Sequence, residues 1–309
     1  MNSLPTSEKS YNYTVYGLEI ASFIYCPELP LGKGLPDVYI RYGSAPDSLA
    51  EAKAKGHYYE ASPDQLLLSI ERVGKYLISG GKEILIDRAP NVTDEEVRLF
   101  LLGSAFGALL HQRGLLPLHA AAFVANSGCV AVVGPSGLGK STLAAAFRKR
   151  GYRIMADDVC VVSINGNGTP LVLPGYPQLK LWADSSRKLG ERPESLPRVH
   201  PASEKHGLRL QEGFCQESSP LCHVYVLGTS NTPDFSLTSL KGREKLTAIF
   251  DNTYRPHFLN GLGGKTHHFK QCVVVATHAK VSRVTRPSDK FLLDELVELL
   301  ENDFSKKIS

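Results

Sequence analysis

Three groups of residues in this chain could do chemistry together. A lysine and a serine close a glycine-rich loop, two aspartates stand side by side, and one histidine interrupts an apolar run. The loop is Gly134-Pro135-Ser136-Gly137-Leu138-Gly139-Lys140-Ser141-Thr142. From Gly134 to Ser141 it fits the pattern G-x-x-x-x-G-K-[ST] without mismatch. Glycines let backbone N–H groups curl around an anion with no Cβ in the way. A helix that follows would add unpaired N–H groups and the positive end of its dipole. Lys140 then supplies a mobile positive charge for β- and γ-phosphates, and Ser141 a hydroxyl for Mg²⁺. A bare glycine turn that binds nothing would carry the same letters. The flanks argue against that reading: Cys129–Val133 has the composition of a buried strand, and Leu143–Arg150 that of a helix. Strand, loop and helix is the context the motif requires.

Downstream, Arg150-Gly151-Tyr152-Arg153-Ile154-Met155-Ala156-Asp157-Asp158 leads into Val159–Val162. Gly151 suits the end of the loop helix. Carboxylates are natural metal ligands and bases. Strand neighbours point to opposite faces, so only one of Asp157 and Asp158 is expected to face the phosphates directly. Upstream, Leu116–Val124 reads as one strand pairing with the strand that enters the loop, with a turn at Asn126-Ser127-Gly128. His119 is its one titratable group, and two readings stand: a satisfied core histidine, or a functional one whose charge changes near neutral pH.

These residues need scaffolding, and the rest of the chain divides accordingly. Residues 1–92 read as a small β-rich unit. Strands are expected at Tyr13–Tyr16, Asp37–Tyr42, Gln65–Glu71, Lys75–Ile78 and Glu83–Asp87, with a hairpin turn at Ser79–Lys82. Residues 93–309 form the second unit. Thr93 and Glu96 make a capping box, opening a helix whose stripe runs through Val97, Phe100, Leu101, Ala105, Ala108 and Leu109. That helix is expected to join the units and cover the core sheet. Later come strands at Leu171–Trp182 (broken by a turn) and His223–Leu227. Helices follow at Arg243–Phe250 and Phe291–Glu301, with a strand pair at Gln271–Ala276 and Val281–Thr285. Residues 184–220 read as irregular. Arg255, Lys265, His267 and His268 lie in a polar connection and read either as phosphate contacts or as exposed loop charge.

Composition narrows the class. At 309 residues the chain can bury a substantial core. A net charge of +4 makes no electrostatic case for nucleic acid or a membrane surface, and Lys306 and Lys307 read as a solvated basic end. No run of about 18 apolar residues suggests a membrane span. Met1–Ser10 has no apolar signal region. The six cysteines form no C-x-x-C pair, and Cys129, Cys160, Cys222 and Cys272 sit in apolar runs. A reducing cytoplasm is the expected setting.

The stretch Leu118–Val162 resembles the catalytic domain of bacterial HPr kinase/phosphorylase. His119 before the loop, the loop itself, and R-G-Y-R-x-x-A-D-D ending at Asp158 share that family's spacing. The whole chain, including Gln112–Ala120 and Pro174–Trp182, looks more like the HPr-kinase-like enzymes encoded with lasso peptide clusters. The resemblance implies an α/β fold: a P-loop kinase domain of the HPr kinase C-terminal type with a smaller β-rich N-terminal unit. It implies an ATP- and Mg²⁺-dependent kinase for a peptide or protein serine, in the lasso case the C-terminal serine of a precursor peptide. Asp158 would be the general base, supported by His119. Lys140 and the loop from Gly134 through Pro135, Ser136, Gly137, Leu138 and Gly139 to Ser141 and Thr142 would bind nucleotide. Ser141 and Asp157 would serve the metal. Related kinases assemble, so a homo-oligomer is an expectation without a legible interface.

This sequence departs from the HPr kinase pattern at two points. Thr142 stands where those kinases have a glutamate, and Gln178-Leu179-Lys180 where they have another that helps hold the metal. Asp157 and Asp184 are the candidates for a second ligand. The N-terminal unit lacks likeness to that of HPr kinase, which makes HPr a poor substrate candidate. Alternatives are an HPr-type serine kinase/phosphorylase, an ATPase, or a nucleotide-binding scaffold without phosphotransfer. An ABC-type transport ATPase would need an L-S-G-G-Q-like signature and a distant Asp-Glu strand end, and neither is found.

Overall fold

The computed structural model describes residues 9–198, 204–288 and 292–305. Lys306 and Lys307, and Phe291 at the expected start of the last helix, lie outside them. The chain is mixed α/β and divides into two compact units: residues up to Gly114 with Arg255–Lys265, and Leu115–Tyr254 with Thr266 onward.

In the first unit eight strands lie side by side. Their order is Tyr11–Val15, Leu18–Ser22, Val38–Tyr42, Glu83–Arg88, Gly74–Ser79, Gln65–Ile70, Tyr59–Ala61 and Ala54–Lys55. Leu18–Ser22, Tyr59–Ala61 and Ala54–Lys55 were not anticipated by pattern. Gly80 and Gly81 turn the hairpin with φ of 56° and 65°, which favours glycine. The capping box at Thr93 and Glu96 is present. The helix it opens runs Asp94–Phe100, widens into a π turn at Leu101–Ala105, and continues as Phe106–Gln112.

This helix belongs to the first unit, so the division falls at Gly114 rather than at residue 92. Side-chain hydrogen bonds explain why. Tyr76 Oη donates to Val97 O at 3.0 Å, and Gln112 Nε2 to Ile78 O at 3.1 Å. The helix therefore packs on the first unit's sheet.

The second unit is built on a mixed sheet. Arg153–Ala156, Ala120–Ala125, Gly128–Val133, Ser219–Ser230 and Lys280–Pro287 are successive neighbours. Gly128–Val133, Ser219–Ser230 and Lys280–Pro287 run parallel. Alternation explains the continuous apolar runs. Val130 and Val132 face one core layer with Leu143, Phe147 and Leu300. Cys129, Ala131 and Val133 face the other, with Ile249, Cys272 and Val275. A strand buried on both faces shows no polar alternation. The loop helix, Lys140–Lys149, is locked by Phe147 stacked on Phe123 with ring centroids 4.1 Å apart. Tyr152 and Phe304 of the last helix, Leu293–Phe304, close the same aromatic cluster.

Several expectations are corrected here. Leu116–Val124 is two strands, Leu116–Leu118 and Ala120–Ala125, because the first pairs with Cys160–Ile164 and the second with Gly128–Val133. His119 stands at the switch between partners. Gln271–Ala276 lies in a helix, Lys265–His278. Its buried residues His268, Gln271, Cys272 and Val275 have helical spacing, which outweighs the β-branched run. Residues 184–220 contain a helix, Ala183–Lys188, and a strand, Lys205–Arg209, which pairs with Gln178–Trp182 as a separate two-stranded sheet. All six cysteines are free; Cys222 is half-buried and the others are buried.

Candidate active site

The loop takes the form its glycines allow. Gly134, Gly137 and Gly139 have φ of 136°, 87° and 95°. At Gly134 a Cβ would stand 2.8 Å from the backbone oxygen of Leu227 on the neighbouring strand. The close approach of two backbones therefore demands glycine there. Gly139 precedes the helix without a side-chain cap, leaving the first turn's N–H groups to an anion. Lys140 Nζ donates to Gly134 O at 2.7 Å and Pro135 O at 3.1 Å, folding back over the loop. Burial lowers its pKa, while Asp158 and Asp157 pull it back up. Thr142 Oγ1 donates to Ser185 Oγ at 3.0 Å on the helix Ala183–Lys188.

Both aspartates reach the loop region, by a route strand alternation did not foresee. The strand ends at Ala156, and Asp158 has φ of 73°, in the left-handed region. That turn, not a pleat, sets the two directions. Asp157 is buried and accepts from Ser141 Oγ at 2.7 Å and from Lys180 N–H at 2.7 Å. Burial pushes its carboxyl up to about 6 against those two hydrogen bonds. Asp158 accepts from Lys180 Nζ at 2.8 Å. Burial raises its pKa as well, but the Lys180 ammonium outweighs that and holds the carboxyl far below its usual range.

His119 Nδ1 lies 3.1 Å from the Asp158 carbonyl oxygen and 3.4 Å from its Oδ1. Two acceptors facing one ring nitrogen place the proton on Nδ1. Burial and Lys140 depress the His119 pKa, favouring the neutral ring.

One pocket gathers His119, Ser136, Gly137, Gly139, Lys140, Ser141, Thr142 and Asp158, together with Lys180, Trp182 and Lys205. The last three were not assigned roles from the sequence. Their signal was present: in Gln178–Trp182 the two leucines, Leu179 and Leu181, are fully buried, so period two puts Lys180 and Trp182 together on the other face. Lys205 is paired in register with Trp182, its ammonium 5.2 Å from the indole ring.

The residues fit a magnesium ion. Ser141 and Asp157 offer two adjacent hard oxygen donors, and Mg²⁺ commonly takes one or two protein ligands, with phosphate and water completing the set. Among the described residues no group of three or more His, Cys, Asp or Glu is placed to hold a metal. Asp184, the other candidate ligand, has an exposed side chain paired with Arg187. Arg255 donates to Tyr58 Oη in the first unit, and His268 is buried against Thr253. Neither they nor Lys265 and His267 line the pocket.

No protein-family model matches this chain. No curated protein matches it either. Among solved structures it is similar to the HPr(Ser) kinase/phosphatase of Coxiella burnetii, with 12% identity and a TM-score of 0.33. That match covers 61% of this chain and 90% of the other. A likeness at that score assigns neither fold nor function to this chain. No helix among the described residues is long and apolar enough to cross a membrane.

Proposed function

We propose that this chain is an ATP- and Mg²⁺-dependent kinase that transfers the γ-phosphate to a serine hydroxyl of a peptide or protein. One observation carries the reading. Lys140 and Ser141 at the loop, Asp158 in the pocket wall and Asp157 on Ser141 Oγ converge at one place. A phosphate loop with an ionised carboxylate beside it is what hydroxyl phosphorylation needs: fixed charge for the phosphates and an acceptor for the hydroxyl proton.

In this reading the loop amides and Lys140 bind and orient the triphosphate. Ser141 and Asp157 would hold Mg²⁺, which when bound neutralises charge on the phosphate oxygens. The neutral His119 ring, donating through Nδ1, orients Asp158. Asp158 takes the proton as the serine oxygen attacks the γ-phosphorus and the bond to the departing ADP oxygen breaks. The sequence resemblance to HPr-kinase-like enzymes of lasso peptide clusters favours a precursor-peptide C-terminal serine as acceptor. It also makes a cytoplasmic protein, and a homo-oligomer, part of this proposal.

A second reading, a nucleotide-binding scaffold or simple ATPase, is favoured by the ion pair that ties up Asp158. Intact-mass spectrometry separates the two. A precursor peptide encoded beside this gene, incubated with enzyme, ATP and Mg²⁺, is expected to gain one phosphate on serine. No gain with Asp158→Asn is the matching control. Hydrolysis of ATP with no transfer to any serine peptide would sink the kinase reading.

A further inference from the structure

Lys180 holds both carboxylates of the site. Its main-chain N–H donates to Asp157 Oδ2 at 2.7 Å, and its ammonium to Asp158 Oδ2 at 2.8 Å. Its side chain is largely buried, and the fully buried Leu179 and Leu181 on either side fix its direction. The same side chain lines the pocket with Ser136, Lys140 and Ser141.

A carboxylate whose Oδ2 is taken by a buried ammonium is a poor acceptor for a serine proton. Stability is a weak reason to keep such a pair, because buried salt bridges often roughly break even against their desolvation cost. Position suggests a better one. The ammonium lies in the wall of a phosphate pocket, where a triphosphate would present a terminal group more highly charged than one carboxylate.

We propose that Lys180 is a positioning residue that changes partner on binding: it pairs with Asp158, as seen here, and moves to the terminal phosphate of a bound nucleoside triphosphate, releasing Asp158 to accept the serine proton. The exchange makes and breaks no covalent bond, and the ammonium keeps its protons. It rests on the kinase reading and deepens it, since a carboxylate freed only in the loaded site reconciles the ion pair with a base. A diphosphate lacks the group that draws Lys180 away, so its binding leaves the ion pair intact.

The test is calorimetric binding of ADP and of a non-transferable ATP analogue, adenylyl imidodiphosphate, with Mg²⁺ present. Asp158→Asn releases Lys180 beforehand and is expected to raise the triphosphate-to-diphosphate affinity ratio about tenfold, a usual size for coupled equilibria. Lys180→Met is expected to lower that ratio, and the gain from Asp158→Asn is expected to vanish in the double variant. Lys180→Arg keeps a cation there and is expected to retain most of the preference. The double variant leaves no lone buried charge, which guards against misfolding as the cause. An equal ratio in wild type and Lys180→Met, with binding lost in Lys140→Ala, overturns this inference and leaves the phosphate loop standing. A gain from Asp158→Asn that persists without Lys180 also overturns it. Failure of the wild type to bind either nucleotide would overturn both readings.

Discussion

The loop side and the carboxylate side of the pocket are built in opposite ways. The loop, Gly134–Thr142, is one continuous segment that offers mainly backbone N–H groups and one helix end. The carboxylate side draws on three separate segments: His119 at a strand switch, Asp157 and Asp158 at a turn, and Lys180 on a two-stranded sheet. The loop's geometry follows from local backbone rules. The other side's chemistry follows from which charges the fold brings together. Two adjacent aspartates show this best: burial takes one up to about 6, while Lys180 takes the other down against the same burial.

The sharpest break between the two sides is in catalysis. Asp158→Asn is expected to cut phosphotransfer by about 10²–10⁴-fold, the usual contribution of a positioned base. Nucleotide binding should survive, whereas Lys140→Ala should lose binding and transfer together. Single-turnover assays with equilibrium binding check this; full transfer by Asp158→Asn would show that another group is the base.

Next comes pH, in protein stripped of metal by a chelator. Asp157 has a raised folded pKa, so its favourable contribution is complete below the ordinary value near 3.8 and is lost as pH rises to about 6. The loss amounts to about 3 kcal/mol at most by linkage. Asp158 has the opposite sign: its contribution is present above the ordinary carboxylate range and is lost as pH falls through its depressed folded value. Carboxyl ¹³C NMR should find one aspartate titrating near pH 6 and its neighbour still ionised well into acid. Two aspartates titrating together near pH 4 would contradict this opposition.

Smaller effects should separate the candidate metal ligands. Asp157→Asn is expected to weaken the Mg²⁺ dependence of transfer by about 10–100-fold, comparable with disturbing a metal site's supporting contacts. Asp184→Asn should leave it unchanged, since that side chain is exposed and paired with Arg187. Magnesium titrations of activity decide the point, and equal effects would return Asp184 to the site.

Smallest is a comparison within the loop. Gly134→Ala and Gly137→Ala both strain a positive φ, at about 1–3 kcal/mol each. Only Gly134→Ala also drives a Cβ against the backbone of Leu227, while Gly137 has open space. Denaturant midpoints should therefore fall further for Gly134→Ala; equal shifts would mean that the neighbouring strand yields.

Much of the fold was legible wherever pattern and local rules agree. The loop with its strand and helix, the capping box at Thr93, the hairpin at Gly80 and Gly81 and most first-unit strands were all foreseen. Legibility failed where partners decide. Leu116–Val124 is a single apolar run, yet it splits at His119 because its halves join different strands. Residues 271–276 are β-branched in part, yet a helical burial face claims them.

The sequence by itself determined the glycine loop and its helix, because glycine placement, a lysine and a helix end are local properties that need no distant partner. It also determined that two carboxylates follow close behind. Only the tertiary structure decided what those carboxylates are. A lysine 22 positions from Asp158 along the chain holds its ionised oxygen, and burial pushes the Asp157 carboxyl up to about 6. Charge state depends on burial and on the nearest opposite charge, and neither is written in the order of residues.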